Sequence, residues 1–334
     1  MSQKYLNAFS VPISILTVAL LVLAPSKSFA DQLYFNFDND VIIGADGDYS
    51  NGVVVGWLAT PATDFSQAPA LFKWQSVIAF PQESSQSQWG GQFYHRMWTP
   101  TEIAYDYPQP NERPYAGLLE LESFTGQFSS SLAQKNWLSI GVMGPASFAE
   151  ELQTVVHKIT GSTTPKGWDY QIENQVTFQL AYEVDALLNR WQAFDNSEWD
   201  ISVFNHTMAG NFRSQSSVGL TLRWGDDLAE TFGQLSSQAG HMGDYASYAN
   251  RYGSWQAYFR MQAGYRFNDL TIEGDLPYDS PLNIENQQAQ ASLGVIWAFP
   301  TWSVSWSFNF YSKEYESDVD DWHGYGVISY TKVL

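Results

Sequence analysis

Large apolar residues alternate with small or polar residues along many short stretches of the chain. The clearest stretch runs from Trp302 to Phe310, where tryptophan, valine and phenylalanine alternate with serine and asparagine. A period of two places the large side chains on one face of a β-strand, whereas a helix would scatter them around its axis. The pattern therefore predicts β-structure with one strongly apolar face.

The same alternation recurs along the whole chain and predicts about twelve strands, an even number as in bacterial membrane barrels. The predicted strands are near 31–38, 50–60, 88–99, 115–128, 135–144, 172–184, 197–209, 212–224, 254–267, 287–299, 301–313 and 322–333. A soluble β-sandwich is the alternative, but its strands would average only about 5–6 residues. We expect one all-β domain over residues 31–334, a transmembrane antiparallel β-barrel with short helices in its loops.

The first 30 residues have a different pattern. Val11 to Ala24 is an apolar stretch, shorter than the roughly 20 residues that a bilayer-spanning helix needs. It is followed by Ser28-Phe29-Ala30, a small-x-small cleavage site. We predict that residues 1–30 are a signal peptide. The chain also has no cysteine, so an exported protein of this size must depend on a large core or a closed sheet rather than on disulfides.

Charge and aromatic content narrow the class of protein further. The chain has 35 acidic residues against 16 Lys and Arg, a net charge of −19. This balance argues against a nucleic-acid partner, whose phosphates require a cationic surface, and is compatible with divalent cations. Aromatic residues make up 16% of the chain while the mean hydropathy stays below zero. That combination is typical of a membrane β-barrel with aromatic girdles and a polar lumen.

The strand count predicts which residues meet at the outer rim. If the first strand starts in the periplasm, it carries Asn39 and Asp40 to the outer rim, and the second strand begins there with Ser50. Two long segments, 61–87 and 225–253, then fall on the periplasmic side, where short turns are the rule. Either these segments form small helices that plug the barrel mouth, or the strand count is locally wrong.

The outer loop between the fifth and sixth strands has the sequence of a helix. Pro145 marks its start, Ser147 is a candidate N-cap, and Gly161 is its end. Gln153 and His157 are four residues apart, so they share one face of this helix.

A histidine, a carboxylate, two amides and a hydroxyl are therefore predicted on one side of the membrane. Such a set can hydrolyse an ester, because imidazole removes a proton from water or a hydroxyl and a cation on the carboxylate stabilises the oxyanion. The alternative is ordinary surface polarity, since a lone histidine at a rim is more often a surface residue and acidic loops are usually solvated.

Six sequence blocks occur in a characteristic order. They are Phe37–Asp40, Gly47–Gly52, Phe93–Pro100, Glu112–Gly117, Gly141–Ala146 leading to Gln153 and His157, and Lys166–Gln171. Together they resemble the outer-membrane lipid A 3'-O-deacylase (LpxR) family through essentially the whole mature chain. No single block is decisive, but the Arg-Pro-Tyr-Ala-Gly block and the block from His157 to Gly-Trp-Asp are specific when taken together.

This resemblance implies a function and a set of site residues. It implies a twelve-stranded barrel of the bacterial outer membrane that uses Ca²⁺ to hydrolyse the 3'-acyloxyacyl ester of lipid A, with its active site facing the extracellular leaflet. The implied catalytic residues are Asn39, Asp40, Ser50, Gln153 and His157. Among them His157 would be the general base, Asp40 a calcium contact, and Asn39 and Ser50 would orient the substrate or the oxyanion. Whether water or a hydroxyl attacks stays open.

The chain departs from the family at one position of the implied site. An acidic residue expected about six positions after the histidine is Thr163 here. The group that orients His157 is therefore missing or supplied elsewhere, for instance by Glu150, Glu151 or Asp169.

Two cations are candidates for binding the substrate, which would be lipid A in lipopolysaccharide. Arg113 and Lys158 are predicted near the rim, where each could hold a lipid phosphate. For Arg113 the other reading is an ion pair with an acid of the lumen. The sequence does not predict an oligomeric state.

Two other functions remain open from the sequence. One is a phospholipase-like barrel esterase, and the other is a non-catalytic barrel, either a channel or an adhesin. A channel needs an open lumen, whereas the Gln, Ser, Tyr and Thr of these strands could fill it.

Overall fold

The computed structural model describes residues 32–40, 48–82, 85–194 and 197–334. Within these ranges no helix is long and apolar enough to cross a membrane. The predicted signal peptide, residues 1–30, lies outside the described residues.

The strands are β1 (Gln32–Asn39), β2 (Asp48–Leu58), β3 (Gln86–Thr99), β4 (Ala116–Phe128), β5 (Leu132–Met143), β6 (Gln175–Gln192), β7 (Glu198–Gly210), β8 (Arg213–Gly225), β9 (Ser254–Asp269), β10 (Gln287–Phe299), β11 (Trp302–Ser312) and β12 (Trp322–Val333). The helices are α1 (Ala70–Gln75), α2 (Ala149–Thr160) and α3 (Leu270–Glu273), with 3-10 turns at Ser76–Ile78, Pro145–Ser147, Trp168–Tyr170 and Ala246–Tyr248.

The strands form one closed antiparallel barrel in chain order. Each strand pairs with the next, and β1 closes the sheet on β12 from Gln32↔Val333 to Asn39↔Gly326. Closure removes the sheet edges and pairs the strand backbones, which is what hydrocarbon requires of a spanning sheet. Each of the twelve predicted strands overlaps an observed one, so the predicted barrel is confirmed.

The two faces of the barrel wall differ in chemistry, as the alternation predicts. Outward-facing side chains such as Phe35, Trp297 and Trp306 are large, apolar and exposed. Inward-facing side chains include buried charges, for example Lys135 and Glu183. The barrel therefore has an apolar outer surface and a polar lumen, the arrangement of membrane barrels.

Residues 226–253, which connect β8 and β9, fold into the lumen. Asn36 Nδ2 donates to Gly240 O at 2.7 Å, and Gln238 Nε2 donates to the carboxylate of Glu122 at 2.7 Å. Arg223 donates to the backbone oxygens of Leu228 and Thr231 at 2.7 and 3.0 Å. The segment occupies the interior of the barrel as the predicted plug, but it contains a single 3-10 turn at Ala246–Tyr248 and not the predicted small helices.

Residues 59–82, which follow β2, take a different path from the one predicted. The segment lies on the outer surface of the wall, where Phe72 packs against Trp57 in a T-shaped ring contact at 5.8 Å. Phe65 contacts Trp89 at 6.2 Å. Trp57 and Trp89 are outward-facing residues of β2 and β3, so this segment covers the barrel wall and does not plug its mouth.

Lys135 connects the barrel wall to residues 226–253 in the lumen. We expect its contacts to stabilise the fold. Its Nζ is fully buried and lies 2.6 Å from Glu183 Oε1 and 3.0 Å from Asp185 Oδ2, and it donates to the backbone oxygens of Gly233 and Leu235 at 2.8 and 2.5 Å. Removing one partner of a buried ion pair typically costs about 3–5 kcal/mol. We expect Lys135→Met to lower the free energy of unfolding by about that amount, measured by urea titration in phospholipid vesicles.

The matched control is Lys313→Met. Lys313 Nζ lies 3.7 Å from the exposed carboxylate of Asp321, and such surface pairs contribute about 0–1 kcal/mol. Equal unfolding free energies for the two variants would contradict the role assigned to Lys135.

Candidate active site

A cleft of about 400 Å³ separates the outer wall of the barrel from helix α2. Its floor comes from β1, β2 and β3, and its roof from α2 and the chain that follows it. The lining residues are Phe37, Asn39, Asp40, Ser50, Asn51, Val53, Met97, Thr99, Ile103, Leu152, Gln153, Val156, His157, Ser162 and Thr163. Polar groups and apolar side chains therefore share one cavity.

The cleft lies on the outward face of the wall and not in the lumen. Asn39 pairs across the sheet with Asn51, on the same face as the exposed side chains of Phe35 and Val55. The preceding residue, Asp38, points inward, where its Oδ2 accepts a hydrogen bond from the Tyr49 hydroxyl at 2.5 Å. The adjacent residues Asp38 and Asn39 thus face opposite sides of the wall, and the site borders the lipid-facing surface.

An irregularity in β2 sets the position of Ser50. The register between β2 and β3 shifts between Tyr49 and Asn51, so Ser50 is the additional residue of a β-bulge. Bulges change the direction of a side chain, and they are frequent next to active sites. Here Ser50 Oγ hydrogen-bonds Thr99 Oγ1 at 2.7 Å, and Ser50 O accepts from Asn39 Nδ2 at 2.9 Å. Asp40, 4% exposed, follows directly after β1.

Close packing against β4 holds α2 at the wall. A Cβ atom at Gly117 would lie 2.4 Å from Ala149 Cβ, so only glycine lets the start of α2 approach this closely. The Tyr115 ring contacts Trp168 at 4.9 Å beneath the helix. Both sequence blocks that are specific when taken together therefore serve to position α2.

The sequence predicts the C-terminal end of α2 correctly but not its N-terminal end. Gly161 ends the helix in the left-handed conformation, with φ of 76°, as predicted. The predicted N-cap Ser147 is wrong: the helix begins after Phe148, and Ser147 Oγ instead donates to Gly144 O at 2.7 Å. The cause is a separate 3-10 turn, Pro145–Ser147, that precedes the helix.

The two predicted residues of α2 are both fixed by partners outside the helix. Gln153 is buried, and its Oε1 accepts a hydrogen bond from Trp168 Nε1 at 2.8 Å. His157 is half-buried, and its Nδ1 lies 2.6 Å from Thr163 O. A carbonyl oxygen can only accept, so Nδ1 carries a proton, and Nε2 of the neutral ring is the basic nitrogen.

The hydrogen bond to Thr163 O orients the His157 ring, a role that we expected an acidic side chain to have. The backbone oxygen comes from residue 163, the position where the resemblance described above leads us to expect an acidic side chain. Among the acids proposed instead, burial and then the carboxylates of Glu151 and Asp169 raise the pKa of Glu150. A neutral carbonyl orients the imidazole and selects the same tautomer as a carboxylate would, but it stabilises the imidazolium less.

The structure brings together all five residues that the sequence singled out as catalytic. Asn39, Asp40, Ser50, Gln153 and His157 line the same cleft. Their catalytic roles remain predictions. Sequence reasoning missed Thr99 and Trp168 as partners in the site, although both stand in the quoted blocks, and it could not find the Thr163 carbonyl because any residue would supply it.

The prediction for Arg113 as a substrate ligand has to be corrected. Its guanidinium is buried, with Nη1 2.6 Å from Glu314 Oε2 and Nη2 donating to Thr271 Oγ1 at 2.7 Å. It therefore belongs to an interior ion pair, the other reading of the sequence, and not to the cleft. Lys158 is exposed on α2 beside His157, and its binding role stays a prediction.

The donor groups of the cleft limit the kind of metal that it could hold. Among the described residues, no group of three or more His, Cys, Asp or Glu side chains is arranged to bind a metal ion. The cleft instead offers one carboxylate, three side-chain amides and four hydroxyls. Such oxygen donors suit a hard cation such as Ca²⁺ and not a soft transition metal.

A known protein family and a solved structure are similar to this chain. The family model described as "Outer membrane protein LpxR" matches residues 11–333. LpxR from Salmonella typhimurium has a similar structure, with a TM-score of 0.73 at 17% identity over 91% of this chain and 100% of that one. The beta domain of the Bordetella autotransporter Brka reaches a TM-score of only 0.44 at 10% identity, over 92% of this chain and 100% of that one. No curated protein sequence matches the chain.

The hydrogen bond to Thr163 predicts the tautomer of His157. We expect the neutral ring to be protonated at Nδ1, which ¹⁵N chemical shifts in histidine-selective NMR distinguish from protonation at Nε2. The chain has five histidines, so the signal is assigned by its loss in His157→Ala. A neutral His157 protonated at Nε2 would contradict the carbonyl contact.

Proposed function

The chain belongs to the LpxR family of outer membrane proteins, and we propose that it is an ester hydrolase that removes the 3'-O-linked acyloxyacyl group of lipid A. One observation carries this proposal: Asn39, Asp40, Ser50, Gln153 and His157 line a single cleft on the outward face of the wall. A substrate whose acyl chains lie in a membrane can reach such a cleft from the side. Residues 226–253 lie inside the barrel and bond to its inner wall, which favours this reading over a channel.

The position of the cleft supports a substrate in the outer leaflet. The cleft lies at the barrel end opposite to Gln32 and Val333 and opposite to two of the three shortest turns, 129–131 and 300–301, while the turn at 211–212 lies at the end of the cleft. Short turns of bacterial barrels face the periplasm. The cleft then opens at the level of the extracellular leaflet, where lipid A of lipopolysaccharide resides.

His157 is the general base in this mechanism. Its Nδ1–H is held by Thr163 O, so Nε2 accepts a proton from the attacking group. We assign water as that group, because Ser50 Oγ is paired with Thr99 Oγ1 and acts by positioning. The water oxygen bonds to the acyl carbon as its proton passes to Nε2.

Collapse of the tetrahedral intermediate completes the hydrolysis. The bond between the acyl carbon and the 3'-oxygen of the sugar breaks, and the imidazolium returns the proton to that oxygen. The products are a free acyloxyacyl acid and a lipid A with a 3'-hydroxyl. Asn39 and Gln153, each fixed by a hydrogen bond, place their amides beside the reacting ester.

The oxygen donors of the cleft fit a calcium ion. Asp40 would hold it together with the amide oxygen of Asn39, both at the tip of β1. Bound there, calcium would supply positive charge for the developing oxyanion. Lys158, exposed on the outer side of α2, is the proposed contact for a substrate phosphate.

The proposal predicts the effect of removing the base. We expect His157→Ala to reduce deacylation by about 10²–10⁴-fold, the usual contribution of a general base. Mass spectrometry of lipid A after expression would show the loss of the acyloxyacyl group with the parent chain and its retention with the variant. Heat-dependent migration on gels verifies that the barrel is folded.

His323→Ala is the matched control. His323 Nε2 lies 2.8 Å from Asp318 Oδ2, and this histidine is near the same barrel end but outside the cleft. Full activity of His323→Ala and loss in His157→Ala support the assignment. Retained deacylation in His157→Ala would overturn it.

A second prediction concerns calcium and Asp40. Chelation should abolish deacylation, and excess Ca²⁺ should stabilise the parent chain, by about 2.7 kcal/mol at 100 times the dissociation constant. We expect Asp40→Asn to lose most of this stabilisation, measured by thermal unfolding with and without calcium. Asp321→Asn, at an exposed loop carboxylate, should keep it. Calcium-independent unfolding of the parent chain would exclude a calcium site in this cleft.

A further inference from the structure

The outer wall of the barrel is polar where residues 59–82 cover it. Thr125 and Asn136 pair across β4 and β5 on the outward face, and Gln127 pairs with Gln134 one step further. Phe124 and Lys135, the alternate residues, face the lumen. Polar side chains on a lipid-facing wall are costly unless they are hydrogen-bonded. This part of the wall therefore cannot face hydrocarbon directly.

The covering residues, here called the outer-wall segment (59–82), satisfy these groups. Gln75 is fully buried, and its Nε2 donates to Asn136 Oδ1 at 3.0 Å and to Ser123 O at 3.1 Å. Its Oε1 accepts from Ser123 Oγ at 2.7 Å. Gln134 bridges the backbone of Phe80, donating to O at 2.6 Å and accepting from N at 3.2 Å. The segment is thus attached to the wall by specific bonds.

The other surface of the outer-wall segment is apolar and points away from the barrel. Trp74 is 65% exposed and Val77 is 74% exposed. Leu71, Ile78 and Phe80 are exposed beside them. Five large apolar side chains within ten residues form a continuous patch, which is unusual on a surface that meets water.

The patch continues the aromatic girdle of the barrel. Outward-facing tryptophans surround the same end of the barrel at positions 191, 199, 224, 255, 297 and 302. Girdles of this kind mark the boundary between hydrocarbon and headgroups. On β3 the outward Trp89 is buried beneath Phe65 of the segment, so Trp74 provides the exposed indole of that sector.

We propose that the outer-wall segment is a membrane contact that takes the place of the barrel wall over β3 to β5. Its occupant is the phospholipid of the inner leaflet, whose acyl chains pack against Leu71, Trp74, Val77, Ile78 and Phe80. The segment closes the apolar belt where the strands beneath it are polar. This inference depends on the membrane location of the barrel and is independent of the catalytic proposal.

Site-directed spin labelling tests the contact directly. The chain has no cysteine, so Trp74→Cys and Val77→Cys each give one labelling site. The folded variants are placed in vesicles of phosphatidylethanolamine and phosphatidylglycerol, and collision rates of the nitroxide with O₂ and with a water-soluble nickel chelate are measured. Trp297→Cys is the lipid reference, and Val319→Cys, at a 93% exposed loop residue, is the water reference.

We expect the ratio of O₂ to nickel collisions at positions 74 and 77 to exceed that at position 319 several-fold and to approach that at position 297. A ratio equal to that at position 319 would show that the segment faces water and would overturn the proposal. Low collision rates with both reagents and an immobilised spectrum would show a protein partner or a second copy on the patch, and would also overturn it.

Discussion

The close approach of α2 to the outer wall at Gly117 is the constraint on which the site depends. A barrel wall alone offers Asn39, Asp40 and Ser50 as polar residues at a rim, and His157 comes from α2. The helix brings His157 to them only because position 117 lacks a Cβ atom, which would collide with Ala149. The ring contact of Tyr115 with Trp168 completes this support, and Trp168 also holds Gln153. Loss of this packing would leave the same residues in the chain without a common cavity.

The alternation of side chains along each strand determines whether a polar group faces the lumen or the outer surface of the barrel. Asp38 and Asn39 are adjacent in sequence, yet Asp38 accepts the Tyr49 hydroxyl inside the barrel and Asn39 lines the cleft outside it. Interior charges such as Lys135 bind the plug and neutralise one another, so they serve the stability of the barrel. Because successive side chains of a strand point to opposite faces, the strands carry a polar interior that supports the wall and, on the other face, a small polar site at the lipid-facing surface.

The strands and the members of the site were predictable because their signals are local. Alternation within single stretches gave the twelve strands, and the spacing of Gln153 and His157 placed both on one helical face. The rest depends on contacts between distant parts of the chain. No local pattern distinguishes a segment that fills the lumen, 226–253, from one that covers the wall, 59–82. Arg113 has the side chain of a phosphate ligand, but its environment is set by Glu314, two hundred residues away. The orienting carbonyl of Thr163 has no side-chain signal at all.

Two parts of the chain, the outer-wall segment and α2, cover the outer wall of the barrel for the same physical reason. Outward residues of β4 and β5 near the turn at 129–131, Thr125 and Asn136 among them, are polar, whereas the corresponding face of β9 to β11 carries Trp255, Trp297 and Trp306. A polar outward stretch is tolerated only where other parts of the chain cover it, because lipid cannot accept its hydrogen bonds. The outer-wall segment covers it at one end of the barrel, and α2 covers the polar groups of the cleft at the other. Interrupted alternation on a strand of a membrane barrel therefore indicates a covered wall, and a covered wall next to a rim is where a lipid-facing site can be built.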